Sequence, residues 1–313
     1  VRCGGPVDPT VAEGVAGLAG GASGDDRERQ GELISRILTA ADPAPLVPEV
    51  ALDWWRAQDP PWAQPIGAAP VDRVRTAGLA GLVTGNETAD RVRAKGSTPL
   101  QLAGKRTTRV LTSPSFGTYK VPLPDVVWTN AATNPDAQWF GVDTVKAHYW
   151  EVSSLRVGLL GWWAHGVRRH DLAGRWDTQR GVAGGGIPIW AMIPTPSELR
   201  GGTFDRALNF VVAGSYSRER VPWIAKGDGT LVSHPLRAGE RLRLTSGARE
   251  RLWGTAVTPD DLGLLEILST FGAVVNDKTS ATAGHNLRLP AGAAVTVRLT
   301  ITDFEVVVTV KGN

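Results

Sequence analysis

The residues best suited to chemistry in this sequence are concentrated between Gly158 and Phe210. This stretch holds four of the twelve tryptophans and two of the five histidines, so aromatic and polar side chains alternate along it. Glu151, Asp171 and Asp177 flank its Trp-rich part, and a pair of carboxylates can serve as the acid and base of a glycosidase. Most carboxylates in a protein of this size have structural or solvated roles, so the pattern alone does not indicate an enzyme.

Other catalytic and metal-binding patterns are weak. His165 and His170 lie five residues apart, which is no recognised metal-ligand spacing, and no third ligand is evident, so no metal site is expected. The run Gly181–Gly186 lacks the Lys-Ser/Thr of a P-loop and the GxGxxG spacing, and we interpret it as a flexible turn. No GxSxG nucleophile elbow occurs. The sequence therefore predicts no cofactor.

The adjacent tryptophans Trp162 and Trp163 favour binding over catalysis. Neighbouring side chains of a strand point to opposite faces, so at least one of the pair is expected to face outward. An outward Trp near Arg169 and His170 can stack on a sugar ring while the polar groups bond its hydroxyls. Packing against another subunit explains an exposed Trp equally well, and that alternative stays open. The predicted carbohydrate-binding residues are Trp150, Glu151, Trp162, Trp163, His165, Arg169, His170 and Asp171.

Composition limits the class of protein. With 42% hydrophobic and 21% charged residues, the chain is typical of a soluble globular protein. Its formal net charge of +3 is too small and too scattered to predict a nucleic-acid partner. The single cysteine, Cys3, allows no intramolecular disulfide, and no apolar run is long enough for a transmembrane helix. Val1 is expected to be either a processed N-terminus or a translated GTG start.

We expect two parts, residues 1–59 and residues 60–313. The first is rich in Gly, Ala and Pro with a helix predicted over Asp25–Ala40, and it is expected to be an arm for assembly or a linker. In the second, short β-like segments alternate with Gly, Pro and Asn, and the strongest β signals are Ala294–Thr300 and Phe304–Val310. Many short strands with few helices predict a mainly β fold, a β-sandwich or jelly-roll-like domain with one or two helices.

One helix is predicted within the β-rich part. Thr258 is suited to cap it, Pro259 to its first position and Gly272 to its left-handed end. The side chains expected on its buried side are Leu262, Leu265, Ile267, Leu268 and Phe271.

Several motifs occur in one order over residues 60–290, beginning with PPWAQPIGAAPVD (Pro60–Asp72) and including GWWAHG (Gly161–Gly166). Together they resemble a family of actinobacterial extracellular β-rich proteins. The segment PPWAQPIGAAPVD is similar to the family's SPWN…PVDP opening. The similarity continues through VPLPD (Val121–Asp125), HYWEV (His148–Val152), GWWAHG (Gly161–Gly166), the segment Gly184–Leu208, AGERLRL (Ala238–Leu244) and the unit Asp260–Asp277. Domains of this kind also resemble parts of tail proteins from phages that infect such bacteria. The resemblance implies a β-sandwich and an extracellular or virion setting, and little chemistry.

The chain departs from the family pattern at Arg206. The family reads GxIxHAL where this sequence reads GTFDRAL, so an arginine stands in place of a histidine. Arginine stays charged near neutral pH and cannot act as a base there. If the histidine does chemistry in relatives, this chain has lost it, which favours binding over catalysis.

The function predicted first is that of a structural or adhesive protein of a phage particle, a tail or surface component. It would contact envelope glycan or neighbouring subunits without catalysis. The alternative is a secreted polysaccharide-binding or polysaccharide-cleaving protein of an actinobacterium, a glycoside hydrolase or lyase. Expected partners are other subunits of an assembly, with a homo-oligomer favoured, and cell-envelope polysaccharide, but neither nucleic acid nor membrane. The expected location is the virion or the extracellular space.

Overall fold

The structure, a computed structural model, describes residues 59–97, 100–104, 106–112, 118–125, 127, 129, 137–158, 161–172, 174–175, 181–222, 224 and 227–308. The predicted helix over Asp25–Ala40 and nearly all of the arm lie outside these residues. The predicted mainly β fold is confirmed, because strands make up 35% of the structure and helices 23%.

The strands lie throughout the described residues. They are β1 (Arg91–Ser97), β2 (Leu100–Leu102), β3 (Thr108–Thr112), β4 (Thr118–Val121), β5 (Trp139–Asp143), β6 (His148–Ser153), β7 (Arg156–Gly158), β8 (Gly161–Ala164), β9 (Gly166–Asp171), β10 (Leu208–Ala213), β11 (Ser217–Arg220), β12 (Arg237–Ala238), β13 (Arg241–Leu244), β14 (Ala273–Thr279), β15 (His285–Pro290), β16 (Leu299–Thr300) and β17 (Phe304–Val307).

These strands form three sheets and one separate pair. Sheet A has the order β16-β1-β15-β10-β14-β13-β17, sheet B the order β2-β5-β6-β9, and sheet C the order β4-β3-β8-β7, while β11 pairs with β12. Sheet A is mixed, since β1 runs parallel to β15 and β10 runs parallel to β14. Sheets B and C are mostly antiparallel, with one parallel contact each, β2 with β5 and β3 with β8.

The described helices are short and connect or cover the sheets. They are α1 (Arg73–Leu79), α2 (Glu87–Asp90), α3 (Pro196–Gly201), α4 (Ser246–Trp253) and α5 (Pro259–Thr270). Single turns of 3₁₀ helix occur at Pro61–Ala63, Ala80–Leu82, Trp190–Met192, Ala281–Ala283 and Ile301–Asp303.

Helix α5 is the helix that the sequence predicts, and its local signals are confirmed. The Thr258 hydroxyl accepts a hydrogen bond from the Asp261 N–H at 3.0 Å, and the Asp261 carboxylate accepts one from the Thr258 N–H at 3.1 Å. Gly272 follows the helix at φ +69°, a left-handed conformation that glycine adopts without a Cβ penalty. The expectation that Leu262 is buried is wrong, since it is 45% exposed, and Leu264 occupies the buried side instead.

The strand predicted over Ala294–Thr300 is mostly wrong, because only Leu299 and Thr300 join a sheet. The backbone N–H of Ala294 donates to the Asp260 carboxylate at 2.6 Å, and that of Val297 donates to Asp261 at 3.0 Å. Backbone donors that would bond a neighbouring strand are thus taken by carboxylates at the start of α5. The β propensity of the segment is overridden by this tertiary contact.

Two arginines, the buried Arg241 and the partly buried Arg243, hydrogen-bond the residues at the start of the β-rich part to sheet A. Arg241 donates to the carbonyl oxygens of Pro61, of Gln64 at 3.0 Å and of Phe271 at 2.5 Å. Burial lowers the pKa of Arg241 to about 9. Arg243 donates to the Ile66 carbonyl at 2.6 Å while bonding a carboxylate of β17. These hydrogen bonds hold Pro61, Gln64 and Ile66 against sheet A.

The core is divided into three clusters that fix where a surface site can lie. The largest packs sheet A against α3, α4 and α5. A second is shared by sheets B and C, with Trp139, Trp150 and Val152 from one sheet meeting Val110 and Ala164 from the other. The third covers the opposite face of sheet B with residues 183–191. Both faces of sheet B are therefore buried over much of its length.

Candidate binding site

Seven of the eight predicted carbohydrate-binding residues fall on two strands of sheet B and one strand of sheet C, and His165 lies in the turn between β8 and β9. Within sheet B, Tyr149 of β6 stands opposite His170 of β9, and Trp150 stands opposite Arg169. Because successive side chains of a strand alternate between faces, Glu151 shares a face with Tyr149, and Trp150 lies on the other. The structure thus separates the predicted site into a buried part and an exposed part.

The buried part consists of Trp150, Glu151 and His170. Glu151 and His170 are fully inaccessible, and Trp150 is 8% exposed within the core between sheets B and C. A bulky ligand at the surface does not reach these side chains in this structure, so they belong to the core and not to an exposed binding face.

The Glu151 carboxylate accepts three hydrogen bonds inside the protein. One carboxylate oxygen accepts from the Tyr149 hydroxyl at 2.7 Å and from the Ile189 N–H at 2.5 Å. The other accepts from the Val182 N–H at 2.8 Å. The side chain thereby ties β6 to the segment that covers sheet B.

Burial raises the pKa of Glu151 to about 7, and the three hydrogen bonds and the charge of Arg288 only partly offset that rise. The same carboxyl raises the pKa of Tyr149 well above its usual value, although burial is the larger cause. A carboxyl with a pKa near neutrality is typical of general acids, but it also occurs in buried structural carboxyls.

His170 lies beside this carboxyl but is not bonded to it. Its Nε2 is 4.0 Å from a Glu151 oxygen, and neither ring nitrogen has a hydrogen-bond partner among the described residues. Burial, followed by the charge of Arg168, lowers the pKa of His170 to about 4. The imidazole is therefore neutral at neutral pH, with its ring packed 5.2 Å from that of Tyr149.

The glycine run that covers this carboxyl is a closely packed turn. A Cβ on Gly181 would lie 2.4 Å from the Ile187 carbonyl oxygen, and one on Gly185 would lie 2.7 Å from Asn276 of β14. Residues 181–187 are nearly all buried, so the predicted turn is present, but close packing replaces the flexibility that was expected of it. Glycine is required because backbone meets backbone there.

The carboxylates suggested as an acid and base pair are not brought together. Asp171 stands opposite His148 on β6, three residues before Glu151 in that strand, so the two carboxylates project to opposite faces of sheet B. Hydrolysis of one glycosidic bond needs both carboxyls on either side of that bond. Asp177 lies outside the described residues.

Trp162 and Trp163 lie on β8 in sheet C and are both half-buried. Trp162 packs against the core shared with sheet B. Its neighbours Val110 and Ala164 are fully buried in the same core, so Trp163 points to the opposite, outward face. The prediction that one member of the pair faces outward agrees with this geometry.

Three basic side chains that sequence reasoning missed share the outward face of sheet C. Arg156 of β7 stands directly opposite Trp163. Arg109 of β3 stands opposite Lys120 of β4, and all three basic residues are exposed. We call Trp163, Arg109, Lys120 and Arg156 the Trp163 face. The alternation of polar and apolar residues could have predicted this face, because Arg109 precedes the buried Val110 and Lys120 precedes the buried Val121.

The other predicted residues stand apart from the Trp163 face. Arg169 and Asp171 are exposed on β9, an edge strand of sheet B. His165 is exposed in the turn between β8 and β9, where its backbone N–H donates to the Ser153 carbonyl at 2.9 Å. The structure therefore does not gather all eight predicted residues into one site.

Arg206, at the position where the resembled family was expected to have a histidine, is fully buried. Its Nε donates to the Ala191 carbonyl at 2.6 Å, and one terminal nitrogen donates to Asp205 at 2.9 Å and lies 3.5 Å from Glu198 of α3. The guanidinium lies 3.9 Å above the Phe204 ring. These contacts give Arg206 a structural role, joining α3 to the segment beneath sheet B.

The described residues contain no group of three or more His, Cys, Asp or Glu side chains arranged to hold a metal ion. Among the same residues, no helix has the length and apolar character needed to cross a membrane.

Comparison of the chain with protein-family models, with curated proteins and with solved structures finds no match.

Proposed function

We propose that this chain is a non-catalytic structural or adhesive protein of a phage particle, a tail or surface component, that contacts envelope glycan through the Trp163 face. The observation that carries the proposal is the outward position of Trp163 on a sheet whose other aromatic side chains, Tyr119 and Trp162, pack inward. A rigid sheet holds this indole at the surface without ordering a loop on binding.

The setting in a virion or in the extracellular space is supported by the sequence motifs that resemble extracellular and phage tail proteins. We also propose that sheets B and C, whose side chains share one core, form the predicted β-sandwich. Polysaccharide cleavage is the less favoured alternative, because Glu151 is enclosed and Asp171 projects from the other face of sheet B.

The proposal is tested by Trp163→Ala in a retention assay on cell-envelope polysaccharide. Truncating an aromatic hot spot costs about 2 kcal/mol or more, so retention should weaken at least ~tenfold. The matched control is Trp253→Ala, which removes another half-buried indole, on α4 beneath Arg249. This control should retain glycan as the wild-type protein does.

Three results distinguish the alternatives. Retention unchanged in a folded Trp163→Ala variant would refute glycan binding through this face. A change in subunit assembly in that variant, with no change in glycan retention, would assign the face to subunit packing. Release of new reducing ends by the wild-type protein that disappears in Glu151→Gln would replace the binding function with an enzymatic one.

A further inference from the structure

On the outward face of sheet C, Arg156 and Arg109 lie on the two strands beside Trp163, and Lys120 lies one strand farther away. Arg156 is the direct cross-strand neighbour of Trp163, and directly opposed side chains have Cβ atoms about 5 Å apart. On the other side, Leu111 pairs with Trp163, and Arg109 lies two residues before it on the same face. Diagonal neighbours of this kind lie about 7–8 Å away, within reach of an arginine side chain.

The strands that build this face contribute no negative charge. β3, β4, β7 and β8 contain neither Asp nor Glu. The longer stretches 91–124 and 152–170 likewise contain neither Asp nor Glu. The basic residues in these two stretches are Arg91, Arg93, Lys95, Lys105, Arg106, Arg109, Lys120, Arg156, Arg168 and Arg169.

These two stretches carry ten basic residues and no acidic ones, whereas the formal net charge of the whole chain is only +3. A cluster of basic side chains attracts a ligand of the opposite sign and raises its local concentration. A neutral glycan would use the indole but leave the three cations without a role in binding. The ligand that matches the Trp163 face is therefore an anion that also presents a flat ring.

We propose that the Trp163 face binds a polysaccharide whose sugar rings carry carboxylates, a uronic-acid polymer. A uronate supplies both a ring to stack on Trp163 and a carboxylate for the Arg156 guanidinium, whose fork of donors fits a carboxylate through two parallel hydrogen bonds. The inference rests on the proposed function, since it names the chemistry of the glycan that the same face would bind.

Single-stranded nucleic acid is the other polymer that combines rings with negative charge, and the geometry favours it less. Proteins that bind single strands without sequence preference stack successive bases on several aromatic side chains along a basic groove. In the described strands of sheet C, Trp163 is the one aromatic side chain on the outward face, since Tyr119 and Trp162 pack into the core.

The test measures binding to polygalacturonate, to neutral dextran and to an oligo(dT) strand at 0.15 M NaCl. We expect polygalacturonate to be bound most tightly, and Arg156→Gln to weaken that binding about tenfold, the usual effect of losing a charge-assisted pair. The double variant Arg109→Gln/Lys120→Gln should weaken it further and flatten its dependence on salt. The matched control is Arg298→Gln, which removes the same charge at a site 77% exposed near sheet A and should leave binding unchanged.

The outcomes separate this inference from the proposed function. Equal binding of dextran and polygalacturonate, weakened by Trp163→Ala but not by Arg156→Gln, would overturn the uronate inference and leave glycan binding in place. Tightest binding to oligo(dT) would assign the face to nucleic acid. Failure to bind either polysaccharide, with no effect of Trp163→Ala on envelope glycan, would overturn both. Circular dichroism of each variant establishes that the fold is retained.

Discussion

Replacing Glu151 with Gln tests whether the buried carboxyl carries the energetic cost that its surroundings imply. The substitution keeps the size of the side chain and removes its ability to ionise. The side-chain oxygen of Gln can still accept from Tyr149 and Ile189. Its NH₂ group would face the N–H of Val182, which in the wild-type protein donates to a carboxylate oxygen at 2.8 Å. That clash of donors lowers the free energy of unfolding by the same amount at every pH. The effect of removing the ionisable group depends on pH and adds to it.

The magnitude follows from the pKa of Glu151, which burial raises from 4.5 to about 7. Each pK unit corresponds to about 1.4 kcal/mol, so ionised Glu151 costs the folded state about 3 kcal/mol. Below pH 4.5 the carboxyl is protonated in both the folded and unfolded chain, and this cost is absent. As pH rises through 7 the folded state must ionise it, so the stabilisation present at low pH is lost.

The two buried histidines change the folding stability in the opposite direction, because they lower it as the pH falls from about 6.5 towards 4. The pKa of His170 and that of His285 are each lowered to about 4 by burial. Their contribution to stability is full above the unfolded pKa of about 6.5 and is lost as pH falls towards 4. Both histidines are present in wild type and in Glu151→Gln, so the difference between the two proteins isolates the carboxyl.

The assay is urea unfolding of both proteins from pH 4.5 to pH 8. The free energy of unfolding of wild type minus that of the variant should fall by about 3 kcal/mol as pH rises. The fall should persist in 0.5 M NaCl, because its cause is burial and not an exposed ion pair. A difference that stays flat, or that rises with pH, would refute the conclusion that desolvation controls this group.

Two further predictions concern α5. Asp261→Asn should lower the free energy of unfolding by about 3 kcal/mol, because the carboxylate caps the helix and accepts from the Thr296 N–H at 2.7 Å; a loss below about 1 kcal/mol in urea unfolding would contradict this. Gly263→Ala should cost about 2 kcal/mol or more, since its Cβ would lie 1.5 Å from the Leu199 carbonyl oxygen of α3. Gly247→Ala in α4, whose Cβ would meet nothing within 4 Å, is the matched control and should be neutral or stabilising; equal melting temperatures for both variants would disprove the packing argument.

Much of the secondary structure could be predicted because its signals are local. The strand predicted at Phe304–Val310 agrees with β17 over Phe304–Val307, where β-branched residues are frequent. By contrast, α1, α3 and α4 were not predicted from their sequences. They are only 7, 6 and 8 residues long, so few positions carry a periodic pattern, and packing on the sheets supplies the rest.

The candidate site could be predicted only in part. Alternation in a strand indicated that one of Trp162 and Trp163 faces outward, but not which one. That choice depends on which side of sheet C packs against sheet B, a contact between segments distant in sequence. The same contact exposes Arg109 and Lys120 on the side of Trp163, and encloses Trp150 in the core.

The sequence by itself determined the features whose cause lies within a few residues, such as the start of α5 at Thr258 and its end at Gly272. Those features depend on side chains that bond their own backbone and on a conformation that suits glycine. Tertiary structure decided whether Glu151 would be a surface carboxylate or a buried one, and whether residues 294–298 would pair as a strand. Burial and long-range hydrogen bonds settle both, because a polar group removed from water must bond whichever partners the fold brings to it.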